Sequence, residues 1–255
     1  TTDMLFNVSL SAVTGFGSQT RNVSSMENRG MEFTVNSRNF VGNFKWNTSF
    51  NIYYNRNKVL DLGPQKTPIF AGDGADNTVT VEGKPLSNFW GYQYEGPYRN
   101  WEDVKNSPIV GGTNSNPIFR NIPGDAKYAD INGDGIIDRN DFTIIGNPQP
   151  DFIYGITNQF SYKNFDLSVQ INGVQGGDVS LRTFKREVFG GNGGRFNIPK
   201  FYYDNYWKPD RTDALYEVPA RRSNAKQFFN SSQNIEKGTY LSVNNITLGY
   251  TLPRN

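Results

Sequence analysis

The clearest pattern in the sequence is a strict alternation of apolar and polar residues in FKWNTSFNIYYN, residues 44–55. Every second residue from Phe44 to Tyr54 is apolar except Thr48, and the residues between them are mostly Lys, Asn and Ser. A period of two predicts a β-strand with one apolar face. Globular strands usually have about 5–6 residues, whereas a tilted membrane-spanning strand needs about 9–11. This segment is therefore long enough to span a bilayer.

Three other parts of the chain alternate in the same way. GMEFTVNSRNF (30–40) is joined to the first segment by VGN (41–43), which predicts a hairpin turn. FIYGITNQF (152–160) and FDLSVQIN (165–172), joined by SYKN (161–164), predict a second hairpin. TYLSVNNITLGYTLP (239–253) changes phase at Asn244–Asn245, which predicts a β-bulge.

The connections between these strands are short at one end and long at the other. Residues 62–148, which are rich in Gly, Pro, Asn and Asp, separate the strand ending near Tyr54 from the one beginning at Phe152, and residues 176–236 separate the next two strands. This asymmetry is typical of an outer-membrane barrel, whereas a soluble β-sandwich has moderate loops at both ends. Alternation alone also fits any antiparallel sheet over a core. Strand length and loop asymmetry favour an all-β fold of antiparallel transmembrane barrel strands over a soluble sandwich.

The segment DINGDGIIDRND, residues 130–141, has the oxygen-ligand spacing of an EF-hand-type calcium loop. The predicted ligands are the side chains at positions 1, 3, 5, 9 and 12 and the carbonyl at position 7, namely Asp130, Asn132, Asp134, Asp138, Asp141 and Ile136. Gly135 at position 6 permits the sharp turn, and Ile137 is expected to point inward. Position 12 is Asp instead of Glu, and the residues on either side of the loop do not have the pattern of amphipathic helices. We therefore predict a structural calcium clip and not a calcium sensor.

Composition excludes several classes of function. The net charge is +2 with scattered basic residues, so neither a nucleic-acid partner nor a polybasic membrane patch is indicated. The chain has no cysteine and no histidine, which removes disulfides, thiolate ligands, imidazole ligands and the Ser-His-Asp triad. We expect no enzymatic activity.

Several segments resemble, in the same order, the C-terminal barrel portion of SusC/RagA-type TonB-linked outer-membrane transporters. They include ENRGMEFTVNSRNF, GKPLSNFWGYQYEGPY, the block from Gly124 to Val179, and YLSVNNITLGYTLP. The block 124–179 is the most specific, because it joins the aspartate loop, the IGNPQPDFIYG segment that leads into a strand and the SYKNFDLS hairpin. The resemblance covers most of residues 1–255.

The resemblance implies a barrel of roughly 22 strands in the outer membrane of a Gram-negative, Bacteroidota-type bacterium. An N-terminal plug closes such a barrel, a SusD-like surface lipoprotein caps it, and the TonB complex drives import of oligosaccharides or peptides. Nothing in this sequence resembles the plug or the TonB box, and its few strands cannot close a barrel without leaving a strand edge in lipid. We therefore expect the chain to be part of a longer one, whose missing N-terminal part would contact TonB.

Two further expectations complete the sequence-based picture. Residues 62–148 are expected to form a long extracellular loop region with little core of its own, which the calcium loop would rigidify. The sequence does not identify substrate-binding residues. The alternative to the importer is a soluble, calcium-stabilised extracellular β-sandwich that binds glycans.

Overall fold

The structure, a computed structural model, describes residues 4–9, 18–63, 66–72, 78–110, 121–181, 197–219 and 230–253. Its strands are β1 (Met4–Ser9), β2 (Ser18–Val41), β3 (Phe44–Asp61), β4 (Ile69–Ala71), β5 (Thr78–Thr80), β6 (Asn88–Gly91), β7 (Tyr94–Pro97), β8 (Ile109–Val110), β9 (Ala126–Tyr128), β10 (Ile136–Ile137), β11 (Thr143–Gly146), β12 (Pro150–Tyr162), β13 (Phe165–Gly176), β14 (Asp178–Ser180), β15 (Ile235–Lys237) and β16 (Tyr240–Tyr250). The described residues also form two short helices, α1 (Trp101–Lys105) and α2 (Lys200–Tyr203), and two 3-10 turns, Arg139–Asp141 and Ser232–Asn234. Within these described ranges, no helix has the length and apolarity needed to cross a membrane.

The long strands form one six-stranded antiparallel sheet in the order β1-β2-β3-β12-β13-β16. The predicted hairpins are confirmed, with turns at Gly42–Asn43 and Lys163–Asn164. The predicted bulge is confirmed too, because Gln170 pairs with Asn245 and Ile171 with Val243, leaving Asn244 as the extra residue. Strands β2 and β3 continue well beyond the alternating segments that predicted them.

The two hairpin turns lie at one end of this sheet and the long connections lie at the other. The connection from β3 to β12 contains the four-stranded sheet β11-β6-β5-β4 and the two-stranded pairs β7-β9 and β8-β10. The connection from β13 to β16 contains the pair β14-β15. The predicted asymmetry of the connections is therefore confirmed.

The expectation that residues 62–148 have little core of their own is wrong. Tyr92, Val110, Ala126, Tyr128 and Ile137 are buried together, with Tyr94 and Phe142 packed against them. The ring of Tyr92 lies 4.5 Å from that of Phe142 and 5.3 Å from that of Tyr128. Aromatic rings bury large apolar areas, so a few of them form a core between strands of only two to four residues.

Candidate functional site

Cross-strand pairing places apolar residues in continuous rows on one face of the long sheet. One row runs Val35, Phe50, Ile156, Ile171 and Val243 across five strands. This row is exposed at its two ends, where Val35 is 39% and Val243 is 54% exposed, and the three residues between them are partly exposed. Soluble monomers rarely expose a contiguous apolar surface of this extent. The face is therefore suited to contact with lipid.

Aromatic side chains lie at both ends of the apolar face. At the hairpin end, Tyr162 pairs with both Phe44 and Phe165. At the loop end, the rings of Tyr54 and Phe152 lie 5.9 Å apart. Ten residues of β3 separate Phe44 from Tyr54, about 33 Å along a strand at ~3.3 Å per residue. A tilt of ~40° reduces this to about 25 Å, which matches the apolar band between the aromatic girdles of a membrane barrel.

The opposite face of the sheet is polar and is covered at its loop end by the connection. Asn57 and Val59 on this face are buried, and Asn57 accepts a hydrogen bond from the backbone N–H of Leu86 at 2.9 Å. The backbone N–H of Val59 donates to the carbonyl of Lys84 at 3.0 Å. Towards the hairpin end this face has a recess of about 290 Å³, lined by amide and hydroxyl side chains and one guanidinium: Asn36, Arg38, Asn47, Ser49, Thr157 and Gln159.

The first half of the aspartate loop folds around its own side-chain oxygens. The carboxylate of Asp130 accepts hydrogen bonds from the N–H groups of Gly133 at 2.7 Å and Gly135 at 2.8 Å. Asp134 accepts the N–H of Ile136 at 2.8 Å. Gly133 and Gly135 have φ values of 76° and 82°, which glycine adopts at little cost. The turn predicted at Gly135 is confirmed.

The second half of the loop is anchored by a buried carboxylate. Asp141 is 0% exposed and accepts the backbone N–H groups of Ile131 at 2.9 Å, Asn132 at 3.4 Å and Asp138 at 2.8 Å. Asp138 in turn caps the 3-10 turn by accepting the N–H of Asn140 at 2.7 Å. Asp141 thus closes the loop by binding both of its ends.

The six predicted ligand residues lie in one loop, but their side-chain oxygens are directed largely at the loop itself. Asn132, for example, accepts the N–H of Asp134 at 2.9 Å and donates to its carboxylate at 3.0 Å. In the described part of the chain, no three His, Cys, Asp or Glu side chains are arranged to hold a metal ion. The donor chemistry is that of a hard cation site. Calcium binding at this loop stays a prediction.

The loop lies directly on the aromatic core of the connection. Ile137 is 1% exposed and belongs to that core, which confirms its predicted inward position. Burial, together with the nearby Asp138 and Asp141 carboxylates, raises the pKa of Tyr92 to about 12. The phenol of Tyr92 therefore stays neutral beneath the carboxylates.

A buried polar network that sequence reasoning missed joins the two long connections. Glu217 is 2% exposed and accepts hydrogen bonds from the Tyr94 hydroxyl at 3.1 Å and the Gln233 amide at 2.6 Å. The Tyr202 hydroxyl donates to the Glu217 carbonyl at 2.8 Å. Burial and the Glu217 carboxylate raise the pKa of Tyr94 and of Tyr202 above the ordinary value. These residues are far apart in the chain, so no local pattern indicated the contact.

Comparisons with known proteins show which proteins this chain is similar to. No family model matches it. It is 32% identical over 260 residues to TonB-dependent receptor P26 of Formosa agariphila, covering 99% of the chain and 25% of that protein. It is 27% identical over 259 residues to TonB-dependent receptor SusC of Bacteroides thetaiotaomicron, covering 98% of the chain and 23% of that protein.

The fold is also similar to that of solved transporters. A chain of the RagAB peptide transporter matches with a TM-score of 0.72 at 20% identity, over 99% of this chain and 25% of that one. A chain of the RagAB peptide importer in its open-open state matches with a TM-score of 0.71 at 21% identity, over the same shares of each chain. These matches confirm the antiparallel barrel-strand fold over the soluble β-sandwich.

The chain spans about a quarter of the length of the relatives it matches. These relatives are named as receptors and transporters and not as enzymes, in agreement with the sequence-based expectation. The resemblance found in the sequence is confirmed by both kinds of comparison. Over nearly its whole length the chain is therefore similar to about a quarter of the TonB-dependent receptors P26 and SusC, and it has the fold of the matched part of the RagAB transporter chain.

Proposed function

We propose that this chain is part of the wall of an outer-membrane barrel that imports a nutrient by a TonB-dependent process. The observation that carries the proposal is the continuous, exposed apolar face of the sheet, bounded by aromatic rows about 25 Å apart along the bilayer normal. The polar face, partly covered by the long connections, would line the interior. The chain itself performs no covalent chemistry in this role.

The partner in this proposal is a SusD-like surface lipoprotein, with the TonB complex contacting a part of the protein outside this segment. The substrate is an oligosaccharide or an oligopeptide. The fold shared with the RagAB peptide transporter supports a peptide, and the resemblance to the wider SusC/RagA family supports an oligosaccharide equally. The polar face offers amide, hydroxyl and guanidinium groups that suit hydrogen bonding to either.

Fractionation of the source bacterium tests the proposal. The full-length protein should sediment with outer membranes, resist a carbonate wash and need detergent for extraction. An affinity tag on it should then recover a surface lipoprotein and a bound oligosaccharide or peptide, which mass spectrometry would identify. Recovery of the native full-length protein in the aqueous phase without detergent would refute the barrel assignment.

We also propose that the 130–141 loop binds Ca²⁺ as a structural clip. The support is the oxygen-ligand spacing, the two positive-φ glycines and the fixed position of the loop on the aromatic core. In this role the ion would hold the connection between β9 and β11 against the barrel mouth.

Limited proteolysis of the detergent-purified full-length protein tests the clip. Removal of Ca²⁺ with EGTA should speed cleavage within residues 100–148, and added Ca²⁺ should restore protection. Asp134→Asn should weaken the Ca²⁺ dependence, whereas Glu102→Gln, in the exposed first turn of α1, should not. Cleavage that is unchanged by chelation would count against calcium binding.

A further inference from the structure

Two arginines face each other on the apolar side of the long sheet, just beyond its loop-end aromatic row. Arg29 of β2 is the direct cross-strand partner of Arg56 of β3, and the adjacent pair on this face is Glu27 with Lys58. The side chains of Arg29 and Arg56 are 80% and 43% exposed. Like charges directly opposite each other destabilise a strand pair. An anion that contacts both guanidinium groups would therefore stabilise this strand pair, in addition to the carboxylate that each arginine already contacts.

The depth of this pair is set by the strand geometry. Arg56 follows Tyr54 by two residues of β3, so it shares the face of Tyr54 and lies ~5 Å further along the bilayer normal. The guanidinium carbon of Arg56 is 5.3 Å from the centre of the Tyr54 ring, a distance at which a cation is attracted to the ring face. A cation just outside an aromatic girdle lies at the level of lipid headgroups.

The charged side chains around Arg29 and Arg56 have a net positive charge. Arg29 Nη2 contacts Glu27 Oε1 at 2.6 Å, and Arg56 Nη2 contacts a carboxylate oxygen of Asp151. Each of these ion pairs uses one terminal nitrogen, and a guanidinium has five N–H donors. With Lys58, three cationic side chains stand beside two carboxylates. Guanidinium donors that remain available match the oxygens of a phosphate group.

We propose that Arg29, Arg56 and Lys58 bind the phosphate of an anionic lipid in the membrane leaflet at the loop end of the barrel. The phosphate lies between the two guanidinium groups and relieves their repulsion. The acyl chains of the same lipid lie along Met31, Tyr54 and the residues below them on the apolar face. This inference rests on the proposed function, because it needs the apolar face to be in a bilayer.

Native mass spectrometry of the full-length protein in detergent tests the site with dihexanoyl phosphatidic acid as the probe. The Arg29→Gln/Arg56→Gln double variant should bind at least about tenfold less of this lipid than the wild type. The control is Lys45→Gln/Lys105→Gln, which removes two charges from the polar face of β3 and from α1; it should bind within about twofold of the wild type. Far-UV circular dichroism should show that both variants are folded.

Two comparison ligands separate the possible outcomes. Dihexanoyl phosphatidylcholine should bind weakly, and millimolar inorganic phosphate should not displace the phosphatidic acid. Wild-type binding by the arginine double variant, or equal binding of phosphatidylcholine, overturns the inference. Displacement by inorganic phosphate assigns the site to free phosphate and overturns the lipid. None of these results affects the barrel assignment, which fails only if the protein fractionates without detergent.

Discussion

Replacing Asp141 with alanine should loosen the aspartate loop even in the absence of calcium. The buried carboxylate accepts three backbone N–H groups, from Ile131, Asn132 and Asp138. A hydrogen bond to a charged group contributes about 1.5–3 kcal/mol. Ile131 and Asn132 are exposed, so water replaces part of the loss at their amides. The expected destabilisation is therefore about 2–4 kcal/mol, smaller than three full hydrogen bonds.

Hydrogen exchange detected by mass spectrometry can measure this effect in the full-length protein with EGTA present. A loss of about 2–4 kcal/mol in the local opening free energy raises exchange of amides in residues 128–144 by about 30-fold to several hundred-fold. Asp134→Ala is the matched control, because Asp134 is exposed and accepts one backbone N–H; it should change exchange by less than about fivefold. If Asp141→Ala exchanges no faster than Asp134→Ala, the carboxylate does not close the loop.

Three further changes test other parts of the structure. Ile171→Lys, on the apolar face, should lower the free energy of unfolding in lipid vesicles by about 2–4 kcal/mol, as measured by urea titration. Asn172→Lys, on the opposite face, should lower it by much less. The pKa of Tyr92 is raised to about 12 in the folded protein, from about 10 in the unfolded chain. The neutral Tyr92 phenol therefore contributes fully to folding stability below pH 10, and this contribution is lost as the pH rises through 12. In thermal melts, Tyr92→Phe should reduce the fall of Tm at alkaline pH. Gly91→Ala would place a Cβ in collision with the backbone carbonyl of Asn230 and should lower Tm, whereas Gly42→Ala, with nothing within 4 Å of its Cβ, should not.

The long strands were predictable because their side chains alternate with a period of two and one face stays apolar. That signal ends where both faces become polar, so the sequence did not show that β3 continues past Asn55 to Asp61. The strands of the connection have two to four residues, and such short strands show no measurable period. Their aromatic core was missed for this reason, since Tyr92 and Tyr128 meet only through tertiary packing.

The turns of the aspartate loop could be predicted because they are formed by residues that are neighbours in the sequence. The inward Ile137 and the positive φ of Gly135 follow from the loop type. The role of Asp141 as a hydrogen-bonded anchor needed coordinates, since it binds backbone up to ten residues away. Arg29 and Arg56 are cross-strand partners because of the register between β2 and β3. The net charge and the spacing of basic residues along the sequence do not show this pairing.

The central claim is that one face of the sheet contacts lipid and the other does not, and spin labelling along β2 tests it most directly. The chain has no cysteine, so single cysteines at residues 31–36 of the full-length protein in its membrane can each be labelled with a nitroxide. We predict that collision with oxygen is high at Met31, Phe33 and Val35 and low at Glu32, Thr34 and Asn36, with a water-soluble nickel complex giving the opposite alternation. Equal oxygen accessibility at all six positions, or maxima at the polar ones, would contradict the claim.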